Sequence, residues 1–268
     1  MNRIIHISIV VIALILLGCS DYQKLLKSSD YELKYTKAIE YYENEDYFRA
    51  LSLLEELITI YKGTKKAEDI YYYYCYCHYH QDSYVLAGYH LKNFARTYPN
   101  SKRREECLYQ SAYCHYLNSP IPSLDQSYTA KAINELQLFI NKFPESEHIE
   151  KSNELIDKLR GKLEIKSFNN AKLYYDLKDY KAAIVALKNS LLKFPDTQYR
   201  EELLFLILKS SYFLAENSID KKKIDRYNST LTEYHAFTDE YSNSDKQKNA
   251  ERIYDNALNK LEKLKLNK

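Results

Sequence analysis

The densest run of chemistry-bearing side chains is Cys75-Tyr76-Cys77-His78-Tyr79-His80, with four potential metal ligands in six residues. On a helix, residues two apart point to different sides, so Cys75 and Cys77 cannot meet at one ion. Cys75 and His78 share a side, but a structural zinc site takes four ligands. No metal site is expected here, and Cys75 reads as a small apolar residue at a helix crossing. Catalytic chemistry has no better candidate. The glycines are isolated at 18, 63, 88 and 161, so no loop is built to cradle phosphate, and no serine has the context of a strained nucleophile elbow. Acid pairs such as Glu55-Glu56 and Glu201-Glu202 read as solvated helix faces. The expectation is a protein that is not an enzyme and needs no cofactor.

A recurrence in the same region points to binding. Tyr76-Cys77-His78-Tyr79 returns letter for letter as Tyr113-Cys114-His115-Tyr116, 37 residues later. The same step relates Tyr35, Tyr72 and Tyr109, and also Tyr42, Tyr79 and Tyr116. It relates the acids Glu32, Asp69 and Glu106 as well. An aromatic ladder in register across successive units could line a peptide-binding groove, with the acids adding negative charge along its edge. The competing reading is that these tyrosines fill the space between helices.

The elements that would position this ladder are marked by a repeated phrase. It reads Tyr61-Lys62-Gly63-Thr64, Tyr98-Pro99-Asn100-Ser101, Phe143-Pro144-Glu145-Ser146, Phe194-Pro195-Asp196-Thr197 and Tyr241-Ser242-Asn243-Ser244. The aromatic closes one helix onto the core, proline stops that helix, and the hydroxyl caps the next one. Glu68, Glu105, Glu150 and Glu201 follow the first four caps, where a negative charge suits the helix dipole. Between phrases lie small residues at tetratricopeptide spacing: Ala38, Ala50, Cys75, Ala87, Ala112, Ala132, Ala171 and Ala183. The fifth unit is loose, with Ser211, a lysine-rich insertion around Lys221 to Lys223, then Thr230, Tyr234 and Phe237. A final helix carries Ile253, Ala257, Leu261 and Leu264 on one stripe. The expected fold is all-α: a right-handed α-solenoid of about five helix pairs over 31–246, with a capping helix and tail over 247–268. A plain helical bundle is the alternative. Residues 149–175 read as one helix or as two broken near Gly161. The insertion at Ser119 to Tyr128 is a contact loop or a connector.

Composition agrees with that class. Only 4 Gly and 5 Pro occur in 268 residues, too few turn residues for a sheet architecture. A net charge of +2 argues against nucleic acid as a partner. The 29 tyrosines suit half-buried surfaces with one wet end. At the N-terminus, Arg3 precedes an apolar run from Ile4 to Leu17, shorter than the about 20 residues a membrane span needs. Residues 1–18 read as a signal peptide. The run ends in Leu16-Leu17-Gly18-Cys19, which resembles the lipobox of bacterial lipoproteins. That resemblance implies acylation of Cys19, with palmitate among the chains, and a lipidated tether over 19–30. An ordinary signal peptide with a chance cysteine is the other reading. Ser20 resembles an outer-membrane address. The four remaining cysteines are expected to stay thiols. Cys77 and Cys114 sit at equivalent places on neighbouring units, about 8–10 Å apart, whereas a disulfide needs about 7 Å or less.

Taken together, the lipobox and the five punctuated repeats resemble the BamD family, the lipoproteins of the outer-membrane β-barrel assembly machinery. Ala50 to Ile60, Asp125 to Ser146 and Ala171 to Thr197 carry the likeness. Lys62, where that family usually has proline, and the loose fifth unit depart from it. The resemblance implies a lipid-anchored scaffold on the periplasmic face of the outer membrane. Its partners would be the periplasmic domains of the barrel-insertase and unfolded outer-membrane β-barrel proteins. A lipoprotein binding a glycan or a cell-wall-related partner is the alternative. It has against it the absence of tryptophan, the usual sugar platform.

Overall fold

A computed structural model describes residues 21–266. Within that range the chain is all-helical, and the helix pairs follow one another in chain order as tetratricopeptide-like units. Among the described residues, no helix is long and apolar enough to cross a membrane. The chain divides into two compact units. Among the described residues, one holds those up to Pro120 together with Gln126–Leu159, and the other holds Ile121–Asp125 together with those from Arg160 on.

The first unit opens with a short helix α1 (21–27). Tyr22 and Leu25 of α1 are buried with Ala38, Ala50, Leu53 and Leu57, so this part of the expected tether is docked. The helix pairs α2 (Tyr31–Glu43) with α3 (Tyr47–Ile60), α4 (Ala67–His80) with α5 (Tyr84–Thr97), and α6 (Arg104–Leu117) with α7 (Ser127–Lys142) follow. The long helix α8 (Ile149–Asp176) begins in this unit and passes through Gly161 unbroken. No proline or cap interrupts it, and the space a side chain would take at Gly161 is open. In the second unit α8 is followed by α9 (Tyr180–Lys193), α10 (Arg200–Glu216), α11 (Asp220–Tyr241) and α12 (Gln247–Leu266).

Two turn types, both built from local sequence, set the pairs. Inside three pairs the turn is a Schellman motif with a non-glycine residue in the left-handed region: Glu45 (φ 61°), Asp82 (φ 56°) and Lys178 (φ 63°). The next N–H reaches back in each case, Asp46 to Tyr41 O at 2.8 Å, Ser83 to His78 O at 3.0 Å and Asp179 to Tyr174 O at 3.0 Å. Asp46 and Asp179 then cap the following helix, accepting from Arg49 N and Ala182 N, both at 3.2 Å. Between pairs stands the aromatic-x-x-Ser/Thr phrase. Its hydroxyl accepts the N–H two residues on: Arg103 at Ser101, His148 at Ser146, Tyr199 at Thr197 and Lys246 at Ser244. The cap therefore acts as a turn just ahead of the helix, not from the N-cap position itself. The same hydroxyl donates to an acid on the preceding unit, Ser101 to Glu68 at 2.6 Å, with Thr197 to Glu164 and Ser244 to Glu201 alike. Glu68 and Glu201 thus serve as inter-repeat acceptors as well as first-turn charges.

The small residues sit where helices cross. Ala38, Ala50, Ala87, Ala132 and Ala183 are fully buried, and Cys75 replaces alanine in the same role. The lysine-rich stretch Lys221–Lys223 is not an insertion. It forms the first turn of α11, because Ile224 and Tyr227 just beyond it pack against Ala215, Ala257 and Leu261. At 119–128, residues 121–125 pack with the second unit, where Lys166 Nζ donates to Leu124 O at 2.8 Å.

Candidate functional site

The hexapeptide at 75–80 lies on α4, and its two cysteines part as helical geometry requires. Cys75 enters the cluster of Ala87, Leu91 and Phe94, while Cys77 enters that of Ala38, Leu53 and Leu57. Cys75, Cys77, Cys107 and Cys114 are free thiols, all buried. Burial pushes the thiols of Cys77 and Cys114 up to about 12, so neither is a ready thiolate. Among the described residues, no three His, Cys, Asp or Glu side chains gather as a metal site. Cys19 lies outside the described residues.

The eight ladder tyrosines are all half-buried and stand on the first helices of three successive pairs. Tyr35 and Tyr42 are on α2, Tyr72, Tyr76 and Tyr79 on α4, and Tyr109, Tyr113 and Tyr116 on α6. Their ring contacts fall into two sets, one over α2 and α4 and one on α6. Tyr72 and Tyr76 lie 4.7 Å apart by ring centroid, and Tyr76 meets Tyr79 edge-on at 6.1 Å. Tyr113 stacks on Tyr116 at 5.6 Å and on Tyr109 at 6.2 Å. Tyr73, which lay outside the 37-residue step, links two rungs by meeting both Tyr42 (4.9 Å) and Tyr72 (5.7 Å).

The first row, Tyr35, Tyr72 and Tyr109, is roofed by the next repeat. Lys66 Nζ stands 5.1 Å from the Tyr35 ring, the Arg103 guanidinium 4.3 Å from Tyr72, and His148 stacks on Tyr109 at 4.0 Å and 4°. Each roofing residue falls five places after the aromatic of its phrase, at 61, 98 and 143. The pattern persists in the second unit, where Tyr199, five after Phe194, stacks on Phe168 at 4.5 Å. Sequence reading missed this position, although its constant spacing from the phrase was there to find.

The acid row differs from a bare negative edge. Glu32 is paired with Lys66 and accepts from Tyr61 OH at 2.7 Å, and these bonds hold its carboxyl below the usual range. Asp69 is paired with Arg103. Glu106 points back to α4 and accepts from Tyr72 OH at 2.9 Å and from Tyr76 OH. Burial first, then Glu106, raises both phenols well above ordinary tyrosine, so they remain donors. The ladder is thus a joint between repeats along its first row. The second row is Tyr42, Tyr79 and Tyr116, each half-buried. Tyr42 OH lies 3.4 Å from His80 Nε2, and Tyr79 meets Tyr84 at 5.8 Å.

The larger clefts open on the second helices of the pairs. One, of about 910 Å³, is lined by Tyr71, Tyr74, His90 and Tyr98 with Asn93 and Thr97. Another, of about 540 Å³, lies over α5, α6 and α7. No ladder tyrosine lines either one.

The family YfiO, described as outer membrane lipoprotein, matches residues 28–226, which spans every helix from α2 through α10. No curated protein matches the chain.

Proposed function

The chain belongs to the YfiO family of outer membrane lipoproteins, and from that premise we propose that it is a lipid-anchored, periplasm-facing scaffold of the β-barrel assembly machinery. On this reading it is not an enzyme. It holds the periplasmic domains of the barrel-insertase and receives unfolded outer-membrane β-barrel proteins. The observation that carries the reading is the set of half-buried tyrosines in register on α2, α4 and α6. Its second row offers half-buried rings with polar tips, a surface suited to aromatic-rich extended strands. Each aromatic contact is worth about 0.5–1.5 kcal/mol beyond buried area, so a few of them bind a client that must later be released.

A photo-crosslinking side chain at Tyr79 or Tyr116 tests this. In cells, capture of unfolded barrel proteins from these positions is expected, and capture from Tyr89, an exposed residue of α5 outside the ladder, is not. Capture of no barrel protein from either position would sink the reading. The anchor has its own test. Cys19→Ala is expected to abolish labelling by a radioactive fatty acid, and equal label in both proteins would refute acylation there.

A second reading, a glycan-binding lipoprotein, draws on the 910 Å³ cleft, whose lining sets aromatic rings beside amide, hydroxyl and charged groups. Protection of Tyr71 and Tyr98 from chemical modification by soluble cell-wall fragments would favour it over the scaffold reading.

A further inference from the structure

The cleft over α5, α6 and α7 has a chemistry unlike the rest of the surface. Its lining carries Lys92, Arg96, Arg104, Lys131 and Lys142, against a single carboxylate, Glu135, which lines the adjoining hollow. Among the described residues, only Lys92 of these five has an acid partner, Glu135 at 2.6 Å. Excess positive charge held in a cleft favours an anionic partner.

Its two walls follow one pattern. On α5 the spacing Val85, Tyr89, Lys92, Arg96 places two apolar and two cationic side chains on one stripe. On α7 the stripe Lys131, Glu135, Leu138, Lys142 has the same four-three-four spacing. Val85, Tyr89 and Leu138 are 52%, 61% and 52% exposed, a large solvent exposure for apolar side chains beside a cleft. A neighbouring hollow of about 430 Å³ shares Lys92, Leu108 and Lys142, so the two form one elongated trough.

The floor supplies an independent observation. His115 is 5% exposed and lines the cleft, and its Nδ1 is buried without a hydrogen-bond partner. Arg104 Nε, also on the floor, is buried and unpartnered. Buried polar atoms in folded proteins are nearly always paired, so these two, about three helical turns apart along α6, mark two points along the cleft where a ligand's acceptors belong. A single small anion would need cations converging on a point. These are spread over three helices and interleaved with apolar groups, which fits an extended chain.

We propose that this trough is a docking site for an acidic peptide segment bearing an apolar residue, contributed by a partner protein. The segment's carboxylates meet Arg96, Arg104 and Lys131, displacing Glu135 from Lys92, and its apolar side chain lies between Val85 and Tyr89. No ladder tyrosine lines the site, and it does not depend on what the ladder binds.

The test uses the full-length chain in detergent and a fluorescent peptide alternating glutamate with leucine, beside a control with lysine for glutamate. The acidic peptide is expected to bind, more weakly as salt is raised, and the lysine peptide is not. The double variant R96E/K131E is expected to weaken binding by about tenfold or more. The milder R96Q/K131Q is expected to weaken it less, and serves if charge reversal disturbs folding as judged by circular dichroism. Failure of the acidic peptide to bind, or equal binding by parent and variants, would overturn the proposal. So would a site that takes inorganic phosphate or phosphatidylglycerol vesicles and leaves the peptide free. Crosslinking of barrel clients from Tyr79 is unaffected by R96E/K131E on this account, so the two readings fail separately.

Discussion

Helices α4 and α10 hold the same place, each the first helix of its pair, yet they are made of different material. From 71 to 80, α4 presents six tyrosines, two cysteines and two histidines. From 203 to 208, α10 is an unbroken run of leucine, isoleucine and phenylalanine, every one of them buried. The surroundings account for the contrast. α10 is enclosed by α9, α11 and α12 and has little face left for water. α4 is shared between two hydrophobic clusters and keeps one face half open. A tyrosine there buries its ring against the neighbouring repeat while its hydroxyl stays hydrogen-bonded, which leucine cannot do. One repeat architecture thus accommodates a purely apolar joint and a polar-tipped one, and the open face selects the second.

If α10 is the purely apolar case, cavities there should be the most damaging. Leu206→Ala removes a side chain that is 2% exposed and should cost about 2–5 kcal/mol. Urea denaturation would measure it, with the loss of amide protection centred on α9 to α12. A loss below about 1 kcal/mol would break the contrast.

The polar-tipped joint should in turn be the more sensitive to acid. Burial drives His115 down to about 4 from an ordinary 6.5, with Lys131 adding to the effect. Burial lowers His78 and His90 as well, the second also through its stacked neighbour His78 at 5.4 Å. A histidine whose folded value is depressed takes up its proton more readily when unfolded. The stability it contributes is complete above about 6.5 and is lost as pH falls toward 4. For His115 the loss is on the order of 3 kcal/mol. His115→Asn should flatten the pH dependence of the urea midpoint across that window, and an unchanged slope would contradict it.

Smaller effects sharpen the comparison. Glu106→Gln weakens two hydroxyl bonds from Tyr72 and Tyr76 and should cost about 1–2 kcal/mol. Changes to exposed acids of the second unit should cost less than this in the same assay. Lys178 holds a left-handed turn in the second unit at φ 63°, and Lys178→Gly should stabilise by about 0.5–1 kcal/mol, seen as a raised melting temperature.

Much of the fold was legible because its signals are local. The stop-and-cap phrase, the small residues at crossings and the 37-residue step each depend on a few neighbouring side chains, and helix pairs at these places follow. The opposite destinations of Cys75 and Cys77 also follow from helical geometry alone. Less legible were features decided by length or by distant neighbours. Lys221–Lys223 looks like an insertion because polarity is a poor guide where a helix merely runs on by a turn. Around Gly161 no local signal distinguished one helix from two, and α8 runs through it unbroken.

The candidate site divides in the same way. From the sequence alone came which tyrosines and acids stand in register, since register is a count along the chain. Only the tertiary structure decided what covers them. Lys66, Arg103 and His148 reach Tyr35, Tyr72 and Tyr109 across more than 30 residues of chain, and no periodicity within one helix predicts a contact between two. The basic trough was hidden for a related reason. Its cations come from three helices whose local charge is unremarkable, and they become one surface only when those helices pack side by side.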